Sequence, residues 1–139
     1  MAANTNPIYT RLGDVQWGGA AITTANTTRD LTSGTSYLIF TADSSNGGYV
    51  PSIYIQPLGT NIQTVFRVWL NNGSTTGTAA NNTLFAEVTL PATTVSETAA
   101  LFPVVVPVEM ALNLSYRIYV TLGTTIAAGV HATVPGGKY

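Results

Sequence analysis

Short runs of alternating apolar and polar residues, broken at close intervals by Gly, Asn and Pro, constrain this chain more than any other feature. Side chains along an extended strand point to opposite faces in turn, so a period of two marks a strand with one covered face. Between residues 64 and 70, Phe66, Val68 and Leu70 share one face, while Val65, Arg67 and Trp69 share the other. Leu84, Ala86, Val88 and Leu90 likewise oppose Phe85, Glu87 and Thr89. Tyr116, Ile118, Val120 and Leu122 oppose Arg117, Tyr119 and Thr121, and Val130, Ala132 and Val134 oppose His131 and Thr133. No stretch keeps the three-to-four-residue apolar repeat that a helix needs.

Further strands are predicted over 14–17, 20–24, 36–41 and 49–56, where β-branched and aromatic residues recur. The stretch 101–106 is almost continuously apolar and predicts a strand buried on both faces. Pro51, Pro103 and Pro107 point to edges or bulges, because proline removes a ladder donor. Asn46-Gly47-Gly48, Pro57-Leu58-Gly59 and Asn71-Asn72-Gly73 are turn signals, since Gly and Asn tolerate positive φ. The segment 71–82 is too long for a tight hairpin and predicts a flexible polar loop, with a second long connection over 91–98. Short strands joined in this way predict an all-β, antiparallel β-sandwich of jelly-roll kind. Residues 1–12 form a short extended N-terminal arm in this reading, and residues 13–139 form the sandwich domain.

Charge narrows the function more than it narrows the fold. Charged residues make up 8 % of the chain and the formal net charge is −1, against about 25 % charged residues in an average soluble domain. Binding to nucleic acid or to an anionic membrane draws on clustered Lys and Arg. None of the basic residues here adjoins another, so neither a nucleic acid nor a membrane is expected as a partner. With no Cys, both a disulfide scaffold and a thiolate metal site are excluded. Residues 1–13 lack the apolar core of a signal peptide, and no apolar stretch approaches bilayer-spanning length. A net charge near zero favours association, which makes a surface covered by other subunits the stronger reading.

Candidate chemistry is sparse. His131 is the only histidine, and local sequence supplies neither the partner a general base needs nor further metal ligands. A surface or interface histidine is the reading it supports. The run Asp43-Ser44-Ser45-Asn46-Gly47 faintly resembles a calcium loop, but a competent one needs several carboxylates, so a polar turn is expected. Asp14, Asp30, Glu87, Glu97 and Glu109 lie far apart, and nothing in their spacing forms a glycosidase pair. The reading is therefore non-enzymatic, with no cofactor and no metal.

The aromatics say more. Trp69 and Tyr119 fall opposite the aliphatic faces of their strands, and Trp17 precedes a Gly-Gly pair. Trp and Tyr are enriched where partners cover a surface. Ile8, Tyr9, Trp17, Trp69 and Tyr119 are thus the candidate interface residues, with Ile8 and Tyr9 carried by the arm. Such residues also line carbohydrate clefts, and the balance here favours an interface or a second covered face.

One resemblance extends this reading. The series Thr41-Ala42-Asp43, Asn46-Gly47-Gly48-Tyr49-Val50, Pro57-Leu58-Gly59-Thr60-Asn61, Asn71-Asn72-Gly73-Ser74 and Tyr116-Arg117-Ile118-Tyr119-Val120 resembles capsid decoration, or cement, proteins of tailed bacteriophages. It spans residues 41–129 and consists of turns and strands, so it carries no active-site residues across. The resemblance implies a virion structural protein on the outer capsid surface, made in the host cytoplasm, with the major capsid protein as partner and a homotrimer as its assembled state. The alternative expectation is a carbohydrate- or receptor-binding module of a phage fibre or tail. A glycan-active enzyme is a third and weaker one.

Overall fold

The computed structural model describes residues 10–139. Strands run in the order β1 (Leu12–Trp17), β2 (Tyr37–Thr41), β3 (Gly48–Pro57), β4 (Thr64–Asn71), β5 (Asn82–Leu90), β6 (Val104–Leu112), β7 (Arg117–Leu122) and β8 (Val130–Lys138). They form two four-stranded sheets, β1-β8-β3-β6 and β2-β7-β4-β5, antiparallel throughout. The first half of the chain pairs with the second in reverse order: β1 with β8, β2 with β7, β3 with β6, β4 with β5. That is a long antiparallel ribbon rolled up into a jelly roll. The expected fold class is the one observed.

Alternation places the core where it was expected. Phe66, Val68, Ile118, Val120, Leu122, Val130, Ala132 and Val134 are all buried between the sheets, with Phe40, Ile53 and Ile55. Gly136 makes room for Phe40, since a Cβ there would stand 2.6 Å from the Phe40 ring. Pro51 lies on β3, which has a neighbour on each side, yet the ladders toward both β6 and β8 shift register around it. The missing donor is thus accommodated by irregular pairing.

Three expectations need correction. Residues 20–24 contribute only an isolated bridge, Ile22 with Val130, rather than a strand. The run 101–106 is not buried on both faces. Proline has no amide to donate at Pro103, β6 begins at Val104, and as an edge strand it leaves Val105 46 % exposed. On β5 the ladder shifts between its pairs with Val68 and Trp69, so that Leu84 opposes Trp69 and Phe85 packs against the core. The bulge displaces the alternation read from sequence at Leu84 and Phe85 alone; Ala86, Val88 and Leu90 pack on the core as expected.

The connection over 71–82 is bridged by its own amides. Asn81 Nδ2 donates to the Thr75 carbonyl at 2.9 Å and Asn82 Nδ2 to that of Thr76 at 2.8 Å. At the N-terminal side, the Arg11 amide donates to the Lys138 carbonyl and Leu12 opens β1 opposite Lys138. Ile8 and Tyr9, with the rest of the arm's first nine positions, lie outside the described residues. No helix among the described residues is long and apolar enough to cross a membrane.

The long connection 18–36 crosses the outer face of the β2-β7-β4-β5 sheet. Its Asn26 amide donates to the Leu122 carbonyl at 2.7 Å, where β2 has not yet begun. It then meets β4 and β5: Arg67 Nη1 reaches the Asn26 carbonyl, Arg29 pairs with Glu87, and Asn82 Nδ2 donates to the Asp30 carbonyl. This strap is built on Asn26, whose side chain is buried and bonds the carbonyls of Ser33 and Thr35 and the amide of Thr28. Leu31, at a left-handed φ of 63°, is buried beneath it outside the inter-sheet core.

Candidate interaction surface

The two ends of the sandwich differ in charge, although the charged end also exposes two large apolar side chains, Leu12 and Leu114. One end is made by residues 58–63, 91–103 and 123–129, which connect β3 to β4, β5 to β6 and β7 to β8. Four large apolar side chains stand out from it: Phe102 at 82 % exposure, Ile62 at 62 %, Val95 at 53 % and Leu58 at 41 %. Glu97 is the only charged residue in these three segments. At the opposite end, where β1 starts and β2, β6 and β8 finish, lie Arg11, Asp43, Arg117 and Lys138.

The apolar end is held by buried hydrogen bonding rather than by ions. Asn61 is 7 % exposed. Its Nδ2 donates to the Gly129 carbonyl at 2.9 Å, and its Oδ1 accepts from the amides of Ala128 and Gly129. Its backbone exchanges both bonds with Thr93, and Thr93 Oγ1 donates to the Gly59 carbonyl at 2.6 Å. Gln56 Nε2 donates to the Leu101 carbonyl at 3.0 Å, fixing the chain just before Phe102. Gly129 sits at φ 80°, and a Cβ there would meet Thr23 at 2.8 Å. One loop is thus bonded to the next, and exposed apolar groups are presented from a fixed backbone. The cleft that Phe102 shares with Ile62 and Pro91 encloses about 30 Å³, room for a water or so. This end is a surface, not a ligand pocket.

Three of the six acids, Asp30, Asp43 and Glu87, are engaged elsewhere. Asp43 Oδ1 accepts from the amides of Ser45 and Asn46, both at 2.9 Å, and these bonds hold its carboxyl below the usual range. That is the polar turn expected there. Glu87 accepts from Arg29 at 2.9 Å and Arg67 at 2.7 Å, and these partners, Arg29 first, lower its pKa. Asp30 is lowered by the amide and hydroxyl of Thr32. Among the described residues, no group of three or more His, Cys, Asp or Glu is placed to hold a metal ion.

The interface candidates scatter rather than converge. Trp17, at the end of β1, is 64 % exposed and lines a cleft with Gly18, Gly19, His131 and Thr133. Trp69 needs correcting: it is 1 % exposed and donates its indole N–H to Thr121 Oγ1 at 3.0 Å. It does lie on the outer face of its sheet, as alternation requires, but it sits among the strap's anchor points and is covered by its own chain. Tyr119 is half-buried between Leu38 and Trp69 in the same row. Ile8 and Tyr9 lie outside the described residues.

Leu58, Ile62, Val95 and Phe102 were missed in the sequence. For Leu58, Ile62 and Val95 the one signal there is an isolated large apolar residue inside a turn-rich segment, where no alternation assigns a direction; Phe102 was absorbed into the apolar run 101–106. The chain matches no protein-family model, no curated protein and no solved structure.

Proposed function

We propose that this protein is a non-enzymatic virion component that attaches to the outer surface of a phage capsid and stabilises the shell. The observation that carries this reading is the apolar end, with Phe102, Ile62, Val95 and Leu58 exposed on loops tied together through Asn61. Apolar groups held on an ordered backbone bind a partner with little further loss of conformational entropy. Few charges must be desolvated at such a contact. The turn and strand series that resembles tailed-phage decoration proteins names the partner, the major capsid protein, and the assembled state, a homotrimer. Many identical contacts across a lattice let a modest interface per copy suffice.

Co-sedimentation with purified shells of the encoding phage tests the reading. Replacing both Phe102 and Ile62 with Ser weakens attachment about a hundredfold or more, as loss of central apolar anchors does. Asp43→Asn, at the opposite end, leaves it unchanged. Raising NaCl to about 1 M, where screening shortens to about 3 Å, does not release the protein. Full attachment by the double variant, or release at moderate salt, overturns the proposal. Sedimentation velocity reads the trimer directly.

A further inference from the structure

The outer face of the β1-β8-β3-β6 sheet, which no segment of the described residues straps over, carries a second feature that capsid attachment does not use. Register places Trp17 opposite Thr133, Thr133 opposite Tyr54, and Tyr54 opposite Val105, in one row across the sheet. Trp17 and Tyr54, 64 % and 46 % exposed, are two strand spacings apart, about 10 Å. That is the separation of alternate rings in an extended pyranose chain. Beside Trp17 lies a cleft of about 210 Å³ whose other walls are Gly18, Gly19, Ala20, His131, Ala132 and Thr133. A Cβ on Gly19 would meet nothing within 4 Å, so there is open space beside that residue; the neighbouring Ala20 amide is already bonded to the Gly18 carbonyl.

We propose that this face binds a neutral, extended glycan, with one sugar ring on Trp17 in the cleft and a second against Tyr54. The electron-rich face of an indole attracts the C–H face of a pyranose ring, while the ring's hydroxyls need hydrogen-bonding partners at its edge. Thr133 and His131 supply such partners on the strand beside Trp17. Around the Trp17–Tyr54 row, the outward side chains Val15, His131, Thr133 and Ser52 include no carboxylate, lysine or arginine; the exposed charges of this sheet, Glu109 on β6 and Arg11 before β1, lie away from that row. An anionic polysaccharide or a nucleic acid would therefore meet no fixed cation along this row. A neutral ligand is the one whose charge matches.

The protein holds its own reporter, because Trp17 is exposed and Trp69 is buried. The probes are soluble β-glucan, glucomannan and dextran as neutral chains, with hyaluronate as the anionic one. At least one neutral chain retards the protein in native gels and blue-shifts its fluorescence. Trp17→Ala abolishes the shift and weakens retardation about tenfold or more, and Tyr54→Ala weakens retardation less. Unchanged Trp69 emission in Trp17→Ala confirms that the variant is folded. Failure of all three neutral chains, retention of binding by folded Trp17→Ala, or preference for hyaluronate overturns the proposal. The double replacement of Phe102 and Ile62 leaves glycan binding intact, so this idea and the capsid reading fail separately.

Discussion

Trp17 and Trp69 both face away from the inter-sheet core, yet one is 64 % exposed and the other 1 %. The difference lies in what passes above them. Over the β2-β7-β4-β5 sheet the chain lays its own strap, bonded to Leu122, Arg67, Glu87 and Asn82. Over the β1-β8-β3-β6 sheet no segment of the described residues provides such a strap, and Trp17 and Tyr54 stay in the open. An outward aromatic is therefore two different things in one molecule: a secondary core where the chain returns, and a surface for something else where it does not.

The largest effect that separates these two cases is on stability. Trp69→Ala removes a fully covered indole and leaves Thr121 Oγ1 without its donor, so a loss of about 3–5 kcal/mol is expected, read from urea denaturation. A loss under about 1 kcal/mol would mean that the strap does not seal this face. Asn26→Ala comes next. It strips partners from Ser33, Thr35 and Thr28 inside the strap, at a cost of about 1–3 kcal/mol. The Trp69 emission should shift to the red as water reaches it. Lost stability without that shift would place the role of Asn26 within the strap alone, not in covering Trp69.

Much of the fold was legible because alternation survives wherever a ladder is regular. The inward sets Phe66–Val68, Ile118–Val120–Leu122 and Val130–Ala132–Val134 came directly from a period of two. Alternation failed at Leu84 and Phe85, where a bulge slips the phase by one residue, because hydrogen-bond register leaves no mark in composition. The strap was illegible for a different reason. It is held by main-chain groups, by partners distant in sequence (Arg67, Glu87 and Asn82) and by Asn26, a residue that in a chain rich in Asn stands out from nothing. Phe102 was misread as core because 101–106 is apolar throughout, while Pro103 keeps the ladder from starting until Val104. The apolar end was hidden in the sequence because its members lie in loops, where position along the chain assigns no face.

Acid should loosen the strap by a smaller amount. The Glu87 carboxyl is held below its ordinary pKa chiefly by the hydrogen bond from Arg29, then by that from Arg67, and Asp30 is lowered by the amide and hydroxyl of Thr32. A folded pKa below the unfolded one means the contribution is complete above the unfolded value, about 4 for such groups. It is lost as pH falls through the lower folded value. Both groups are solvent-exposed, so the effect is modest. Hydrogen exchange across 26–32 should therefore quicken below about pH 4 before the β-ladder amides respond, and Glu87→Gln should show part of that quickening already at neutral pH. Uniform acceleration across the whole molecule would instead point to global acid unfolding, in which the lowered Asp43 at the polar end shares.

The smallest expected effect is the sharpest test of the contrast between the faces. Trp17 ends an edge strand, and the structure records no hydrogen bond from its indole among the side-chain contacts of the described residues. Of the other residues lining its cleft, Ala132 alone is in the buried core. Truncating a side chain so exposed forfeits little burial, and surface substitutions of this kind fall within about 0.5 kcal/mol. Trp17→Ala should accordingly unfold at the same urea concentration as the parent protein. It should also leave a single emitter, Trp69, that acrylamide quenches poorly, where the parent protein shows one accessible and one protected tryptophan. A destabilisation above about 1 kcal/mol would mean that Trp17 is already covered in solution, by a second copy or by residues 1–9. The bare face would then be a second covered one, and the two tryptophans would differ only in which chain lies over them.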